Sequence, residues 1–307
     1  MADVSILGTG FMGAAIARTL IDGGVAVAVW NRTPAKAEPL RTAGATVAND
    51  AAEALALSPV TISVLADYTA LQNQLEPIAS MAGSDVVNLT TGQPDEVDDL
   101  EDLVTARGGR LLEGAIICYP SHIGTERGLV KFAGPFDVWS RHKALLGLLG
   151  AGTDYLGEPT RLANVLDAAQ LGFYIPAIGA AMEAAAYGAR EGVGFAVLRP
   201  VLVHGLDVLG EFLDKREQMV AQGDYSAEDS PADVYLAAAR GVANAISGTG
   251  IDPRLVHAVV GHLERLHASG AGDGDFAGIY EMLQSGITEP RVSADAHAAG
   301  TRGPSPG

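Results

Sequence analysis

The sequence predicts an α/β protein in which a doubly wound parallel sheet precedes an all-helical region. Short β-rich runs alternate with helical segments through the first half of the 307-residue chain. After about residue 157 no convincing strand follows, and apolar residues recur at helical spacing. Strands separated by helices of about ten to fifteen residues are typical of a parallel sheet covered on both faces.

Six segments carry the strand pattern: VSIL at 4–7, VAVAVW at 25–30, VTISVL at 60–65, DVVNLT at 85–90, RLLEGAII at 110–117 and GLVKFAG at 128–134. We therefore expect a sheet domain over residues 1–157 and a long connecting helix over 158–190, kinked or interrupted at Pro176. A helical domain should cover residues 191–290. The small, polar, Pro/Gly-rich segment 291–307 should be a disordered tail.

Composition limits the classes of partner. A formal charge of −17 argues against nucleic acid or an anionic membrane, because both attract an excess of Lys and Arg. The longest run without a charged residue, residues 168–182, is shorter than the roughly 20 residues of a membrane helix, so we expect no spanning segment. The single cysteine, Cys118, fits a cytoplasmic protein, and the His, Cys and acidic residues show no metal-ligand spacing.

A glycine-rich motif follows the first strand and opens a helix. In VSILGTGFMG, Gly8 permits a tight turn, Gly10 lets a pyrophosphate approach the backbone, and Gly13 allows close helix packing. This context predicts a Rossmann dinucleotide-binding domain, since the helix N-terminus offers free N–H groups to the phosphates. Phe11 and Met12 begin that helix and are included among the candidate cofactor contacts.

The end of the second strand predicts which dinucleotide binds. An NAD enzyme would place an acid there against the ribose hydroxyls, but VWNRTPAKAEP has no acid before Glu38. Thr33 is also expected to cap the following helix, with Pro34 at its first position. The sequence therefore favours NADPH, whose 2′-phosphate would be surrounded by Asn31, Arg32, Thr33 and Lys36.

One carboxylate interrupts the apolar connecting helix. In RLANVLDAAQLGFYIPAIGAAM, residues 161–182, Asp167 has no cation one helical turn away. A charged acid buried without a partner is costly, which favours a functional role. The alternative is an ordinary helix acid that faces water or reaches a distant Arg.

Several polar and aromatic residues are weaker candidates for the same site. Thr90 and Thr91 end a strand at the carboxyl edge of the sheet, where open α/β folds bind ligands, so they could line the nicotinamide site or be a polar strand end. Tyr119, in a loop, and Phe173 and Tyr174, on the connecting helix, could shape a substrate pocket or belong to the core.

The overall plan resembles the β-hydroxyacid dehydrogenase superfamily, but the catalytic motifs of its hydroxyacid enzymes are missing. Their helix Lys aligns with Val165, and their Ser-Gly-Gly turn aligns with Ile117, Cys118 and Tyr119. No Lys occurs between Lys143 and Lys215. Without such a cation, oxidation of a 3-hydroxy acid loses its acid/base group.

The motifs GTGFMG, VWNRTPAKAEPL, VNLTTG, EGAI, GAGTDYLG and LDAA resemble the imine reductases of that superfamily, over nearly the whole chain. The resemblance implies a 6-phosphogluconate dehydrogenase-like plan, NADPH, imine substrates and a homodimer with exchanged helical domains. It also maps the family's candidate proton donor onto Asp167. Two positions depart from the family: Glu113 replaces an Asp, and Ile175 replaces a Tyr found in the fungal reductive aminases.

We therefore expect an NADPH-dependent imine reductase that transfers hydride to a C=N carbon of a small cyclic imine or iminium ion. Asp167 would act as proton donor or iminium stabiliser, in a dimer whose active sites lie at the interface. Because Ile175 replaces the Tyr of the fungal reductive aminases, the resemblance does not imply efficient condensation of a ketone with an amine. The alternatives are a β-hydroxyacid or semialdehyde dehydrogenase-like oxidoreductase and a non-catalytic NADP(H)-binding sensor.

Overall fold

A computed structural model describes residues 1–286 and divides the chain into two compact units, which meet between Tyr174 and Ile175. The first unit contains an eight-stranded sheet. Its strands are β1 (Val4–Leu7), β2 (Val27–Trp30), β3 (Thr46–Val47), β4 (Val60–Ser63), β5 (Asp85–Asn88), β6 (Arg110–Ile116), β7 (Val130–Ala133) and β8 (Asp154–Gly157). All six predicted strands are present, each within its predicted segment.

The strand order is β3-β2-β1-β4-β5-β6-β7-β8, and every neighbouring pair is parallel except β6 and β7. The prediction of a fully parallel sheet is therefore wrong at this pair. A parallel crossover usually needs a helix, whereas the connection over residues 117–129 contains only a 3-10 turn at Pro120–His122. The chain consequently returns beside β6 in the opposite direction.

Two strands were missed, and both lie at the edges of the sheet. β3 has only two residues, and β8 alternates exposed with half-buried residues. Short, partly exposed edge strands do not need a continuous apolar run, so the hydrophobic pattern does not reveal them.

Helices cover both faces of the sheet: α1 (Phe11–Asp22), α2 (Glu38–Thr42), α3 (Ala51–Ala56), α4 (Tyr68–Leu75), α5 (Pro94–Ala106) and α6 (Phe136–Leu146). Ile6 packs with α1 and α6, whereas the next residue, Leu7, packs in the cluster of α3, α4 and α5. Successive strand side chains point to opposite faces, so these two clusters are the two sides of a doubly wound sheet.

The long connecting helix is α7 (Leu162–Arg190), which continues through Pro176 without interruption. Of the two predicted effects of Pro176, the interruption is therefore wrong, and the kink stays a prediction. By length and mean hydropathy α7 also meets the criterion for a membrane span, alone among the described helices. One such helix is weak support for a span because helices of globular proteins meet the same criterion, and the absence of a spanning segment stays a prediction.

The second unit is helical in its described part, with α8 (Phe195–Gln222), α9 (Ala232–Gly248), α10 (Arg254–Ala268) and α11 (Gly278–Gln284). Its core joins α9, α10 and α11 through Ala232, Leu236, Leu263, Leu266 and Met282. A buried ion pair between Arg216 and Asp275, 2.7 Å apart, ties α8 to the segment before α11. The predicted disordered tail, residues 291–307, lies outside the described residues.

Candidate active site

Close backbone contacts require glycine at two positions of the turn between β1 and α1. Gly8 has φ +99°, and a Cβ there would lie 2.3 Å from the carbonyl oxygen of Val64. A Cβ on Gly13 would lie 2.0 Å from the carbonyl oxygen of Gly8. Both distances are far below van der Waals contact, so any side chain would displace backbone.

Gly10 is different, because a Cβ there would meet nothing within 4 Å. The protein itself therefore does not require glycine at this position. Gly10 precedes α1, whose first turn contains no acid, and it lines a groove of about 350 Å³. An open space at a helix N-terminus, free of negative charge, fits a pyrophosphate.

The groove brings most of the predicted cofactor residues together. It is lined by Gly8, Gly10, Trp30, Asn31, Arg32, Thr33, Lys36, Val64, Leu65, Ala66, Ala70, Asn73 and Gln74. Arg32 and Lys36 are exposed there, and the lining includes no Asp or Glu. The donor set therefore fits a dinucleotide that carries an extra phosphate.

Two of these residues act differently from expectation. The side-chain oxygen of Asn31 accepts a hydrogen bond from the Thr9 N–H, and its amide donates to the Thr33 carbonyl, at 3.0 and 2.9 Å. Asn31 thus braces the glycine-rich turn in addition to lining the groove. Thr33 precedes a 3-10 turn, Pro34–Lys36, but makes no side-chain capping bond, so that prediction is wrong.

Phe11 and Met12 do not line the groove in the described residues. The side chain of Phe11 is fully exposed at the start of α1. Met12 packs against the apolar cluster of α1 and α6. Although Phe11 and Met12 lie between Gly10 and Gly13 in the sequence, they therefore do not line the groove.

A second, small cavity lies at the carboxyl edge of the sheet. It is lined by Leu89, Thr90, Thr91, Gly114, Ala115, Ile116, Ala163, Asn164 and Asp167. The structure thus brings Asp167 together with both predicted threonines. Doubly wound folds bind ligands at this edge, next to the point where the strand order reverses. Here the reversal lies between β1 and β4, where Gly8 and Val64 line the cofactor groove, and the small cavity lies further along the same edge.

Asp167 is 8% exposed, and no cation or hydrogen-bond donor of the described residues contacts its carboxyl group. Burial raises the pKa of Asp167 above its ordinary value. The alternative of a solvent-facing or Arg-paired helix acid therefore does not describe this residue. A buried carboxyl without a partner is available to a ligand.

Thr90 and Thr91 differ in whether they already form hydrogen bonds within the protein. The Thr90 hydroxyl accepts a hydrogen bond of 3.1 Å from the Leu65 N–H, so it already joins the ends of β4 and β5. The Thr90 N–H donates to the side-chain oxygen of Asn88. Thr91 is exposed and lines the cavity. Thr90 is thus a polar strand end that shapes the cavity, and Thr91 is the freer of the two.

A buried polar network adjoins Asp167 and was not predicted. The Tyr68 hydroxyl donates to Glu113 at 2.6 Å, and the Asn88 amide donates to both Glu113 oxygens at 2.9 and 3.1 Å. The Asn164 amide in turn donates to the Tyr68 hydroxyl at 2.8 Å. Burial raises the pKa of Glu113 well above its ordinary value, while the bonds from Tyr68 and Asn88 lower it.

The aromatic candidates lie further along α7. The hydroxyl groups of Tyr119 and Tyr174 are 2.5 Å apart, and this hydrogen bond raises the pKa of Tyr174. Tyr174 lies seven residues after Asp167, which places both on one face of α7. Phe173 is half exposed and lines neither cavity.

Sequence reasoning missed several residues that line the cofactor groove and the buried polar residues next to Asp167. Leu65, Ala66, Ala70, Asn73 and Gln74 carry no motif that would mark them. Asn164 did carry a signal, because it lies one turn before Asp167 in the same apolar stretch. Within residues 1–286 no group of three or more His, Cys, Asp or Glu side chains could hold a metal ion.

Comparison with known proteins places this architecture in a family. Residues 3–157 match the model of the NAD binding domain of 6-phosphogluconate dehydrogenase, which is half of the chain. Residues 160–285 match the C-terminal domain model of NADPH-dependent reductive aminase-like proteins. The chain belongs to the imine reductase family. The predicted resemblance and the predicted fold class are thereby confirmed.

Individual imine reductase relatives cover almost the whole chain. An NADPH-dependent reductive aminase from Aspergillus oryzae is 26% identical over 92% of this chain and 97% of its own length. A solved imine reductase from Pseudomonas sp. is 28% identical, covers 92% of this chain and 99% of its own, and has a TM-score of 0.87. A reductive aminase from Aspergillus terreus, solved with NADPH and ethyl levulinate, has 29% identity, the same coverage and a TM-score of 0.88.

Proposed function

We propose that this imine reductase reduces small cyclic imines or iminium ions with NADPH and that Asp167 is its catalytic residue. The observation that carries the proposal is the position of Asp167, a buried carboxyl without a protein partner, in a cavity at the carboxyl edge of the sheet. As a family member, the chain is an NADPH-dependent oxidoreductase that acts on C=N bonds.

The raised pKa of Asp167 suits both forms of a C=N substrate. A neutral imine needs a proton on nitrogen, and a carboxyl that keeps its proton closer to neutral pH is an effective donor. An iminium ion arrives charged, and the ionised carboxylate of Asp167 would then orient and stabilise it. NADPH, when bound, supplies the hydride that neutralises the substrate.

The residues of the groove fit the cofactor. Arg32 and Lys36 would hold the 2′-phosphate, since both are exposed and face no acid in the groove lining. Gly10 leaves room for the pyrophosphate at the start of α1. Asn31 would keep this arrangement in place through its bonds to the Thr9 and Thr33 backbone.

A parallel assay separates this function from its two alternatives. Loss of NADPH absorbance is followed with 1-pyrroline and 2-methylpyrroline, beside formation of NADPH from NADP⁺ and 3-hydroxyisobutyrate. Turnover of the imines alone supports the proposal. Oxidation of the hydroxy acid alone would favour a dehydrogenase, which is disfavoured by the absence of Lys between Lys143 and Lys215. NADPH binding without turnover of any compound would favour a sensor.

Asp167 is tested by substitution. Asp167→Asn and Asp167→Ala should lower kcat by roughly a hundredfold to ten-thousandfold, the usual contribution of a positioned acid, while the NADPH Kd stays within about twofold of wild type. Asp99→Asn, an exposed acid on α5 with no ion pair, is the matched control and should keep full activity. An unchanged kcat in Asp167→Asn would remove this residue from catalysis.

We further propose a homodimer with the active site at its interface. Large apolar side chains on α7 and α8 stay exposed in the single chain, among them Ile175, Met182, Val197, Val201 and Leu206. Large apolar side chains exposed along two long helices favour burial against another protein surface. Light scattering should give twice the 31.5 kDa chain mass. Leu206→Asp should give a monomer without activity, and an active monomer would contradict the interface site.

A cytoplasmic location is also proposed for this enzyme. The single cysteine, Cys118, cannot form an intrachain disulfide, which fits a compartment that keeps thiols reduced. Fractionation of cells that express the untagged chain tests this proposal. Recovery in a secreted or membrane fraction would overturn it.

A further inference from the structure

One buried polar atom next to Asp167 has no partner in the described structure. Asn164 is 4% exposed, and its amide nitrogen donates to the Tyr68 hydroxyl at 2.8 Å and to the Gly92 carbonyl at 3.2 Å. Its side-chain oxygen is fully buried and accepts nothing. Buried side-chain oxygens in folded proteins are nearly always hydrogen-bonded.

The orientation of the Asn164 amide is determined by these two contacts. If the amide were rotated to exchange its oxygen and nitrogen, the oxygen would face the Gly92 carbonyl, which is itself only an acceptor. The Tyr68 hydroxyl uses its single proton on Glu113 and can only accept from Asn164. The nitrogen therefore points into the network, and the oxygen remains as the free end.

Asn164 lines the same small cavity as Asp167, Thr90 and Thr91. It precedes Asp167 by three residues on α7, a spacing that places two side chains on one helix face. Asn164 and Asp167 thus border one cavity, the first with an unpaired buried acceptor and the second with a carboxyl whose pKa is raised by burial. A ligand that satisfies both must carry an N–H or O–H donor.

We propose that the side-chain oxygen of Asn164 binds an N–H group of the reacting ligands, as a recognition residue distinct from Asp167. This inference rests on the proposed function, which supplies two such donors. One is the protonated nitrogen of the substrate or amine product. The other is the carboxamide of the nicotinamide ring. In both cases a nitrogen atom donates a hydrogen bond to the Asn164 oxygen. The experiment below determines which of the two nitrogens is the donor.

The test compares ligands that have or lack the donor. 1-Pyrroline carries an N–H when protonated, whereas the N-methylpyrrolinium ion does not. Asn164→Leu removes the acceptor and should lower kcat/KM for 1-pyrroline about ten- to hundredfold more than for N-methylpyrrolinium, as expected for loss of a hydrogen bond to a charged group. This selective loss would assign the acceptor to the substrate nitrogen.

The second arm measures cofactor binding by fluorescence titration, with NADPH and with its acetylpyridine analogue, which has no amide N–H. Weaker binding of NADPH but not of the analogue would assign Asn164 to the carboxamide. Unchanged substrate selectivity together with unchanged cofactor discrimination would overturn the proposal. The cofactor arm decides the matter even if the wild-type enzyme reduces neither substrate, a result that would refute the proposed function separately.

Two further variants separate recognition from folding. Tyr68→Phe removes the hydrogen bond to the Asn164 nitrogen but leaves the Asn164 oxygen in place. This variant should therefore keep the wild-type ratio of kcat/KM between 1-pyrroline and N-methylpyrrolinium. Asn164→Ser replaces the amide by a smaller polar group and serves if Asn164→Leu does not fold. A change of ratio in Tyr68→Phe equal to that in Asn164→Leu would show that the network, and not the free oxygen, causes the effect.

Discussion

Tyr68 offers a direct measure of how much the buried network stabilises the first unit. Its side chain is 1% exposed, and burial raises the pKa of its phenol, so the hydroxyl stays protonated. Tyr68→Phe removes one bond to the Glu113 acid and one from the Asn164 amide. A bond to a charged group contributes about 1.5–3 kcal/mol and a neutral bond about 1 kcal/mol, which gives a predicted loss of about 2.5–4 kcal/mol.

The assay uses the two tryptophans of the chain, Trp30 and Trp139, which both lie in the first unit. Their fluorescence during urea unfolding therefore follows this unit and not the helical one. Asp99→Asn is the control in the same unit, because Asp99 is exposed on α5 and has no ion pair among the described residues. The control should change the free energy of unfolding by less than about 0.5 kcal/mol.

The loss in Tyr68→Phe should also depend on pH. In the wild type, the hydrogen bond from Tyr68 lowers the pKa of Glu113, which burial otherwise raises. Without that bond the folded-state pKa of Glu113 lies higher still, so more stability is lost as pH rises and Glu113 ionises. The gap between variant and wild type should widen as pH rises through the range in which Glu113 of the folded wild type ionises. A loss no larger than that of Asp99→Asn, or a gap independent of pH, would refute this account of the network.

Three further perturbations have definite outcomes. Gly13→Ala should prevent folding of the first unit, because the added Cβ would lie 2.0 Å from a backbone oxygen. Gly10→Ala should fold but bind NADPH at least tenfold more weakly. Circular dichroism measures the folding of each variant, and cofactor titration measures its affinity for NADPH. Arg32→Glu combined with Lys36→Gln should weaken NADPH much more than NADH, and equal losses would place the 2′-phosphate elsewhere. Because the folded-state pKa of Asp167 is raised, ionisation of this residue lowers the free energy of unfolding as pH rises from about 4. Asp167→Asn does not ionise, so urea titrations should show its free energy of unfolding rising relative to that of the wild type over the same range.

Local sequence patterns predicted the sheet and the glycine-rich turn because both are determined by short-range physics. Leu7 and Ile6 alternate between the two faces of β1, and Gly8 and Gly13 are fixed by backbone contacts within a few residues of a strand end. The edge strand β3 was not predicted, because its two partly exposed residues leave no hydrophobic pattern. The antiparallel return of β7 escaped because strand direction depends on the connection and not on the strand residues.

The candidate site was only half visible in the sequence for a similar reason. Asp167 stands out as a lone acid in an apolar stretch, so a rule about burial identifies it. Asn164 carries no charge, and its significance depends on Tyr68 and Gly92, which are distant in sequence. Glu113 appeared only as a departure from a family motif, although it is a buried acceptor of three hydrogen bonds. Such partnerships arise from tertiary packing, which no local pattern encodes.

The contrast between the two buried carboxyls supports the proposal that Asp167, and not Glu113, is the catalytic residue. Glu113 accepts hydrogen bonds from Tyr68 and Asn88, and these donors would have to be released before it could serve a ligand. Asp167 is buried beside it with no donor, and its charge raises the pKa of Glu113 further. Two acids with different surroundings are thereby given different tasks. Glu113 holds Tyr68, and through it Asn164, in place at the cavity, while Asp167 has an unpaired carboxyl that the proposed function assigns to the substrate nitrogen.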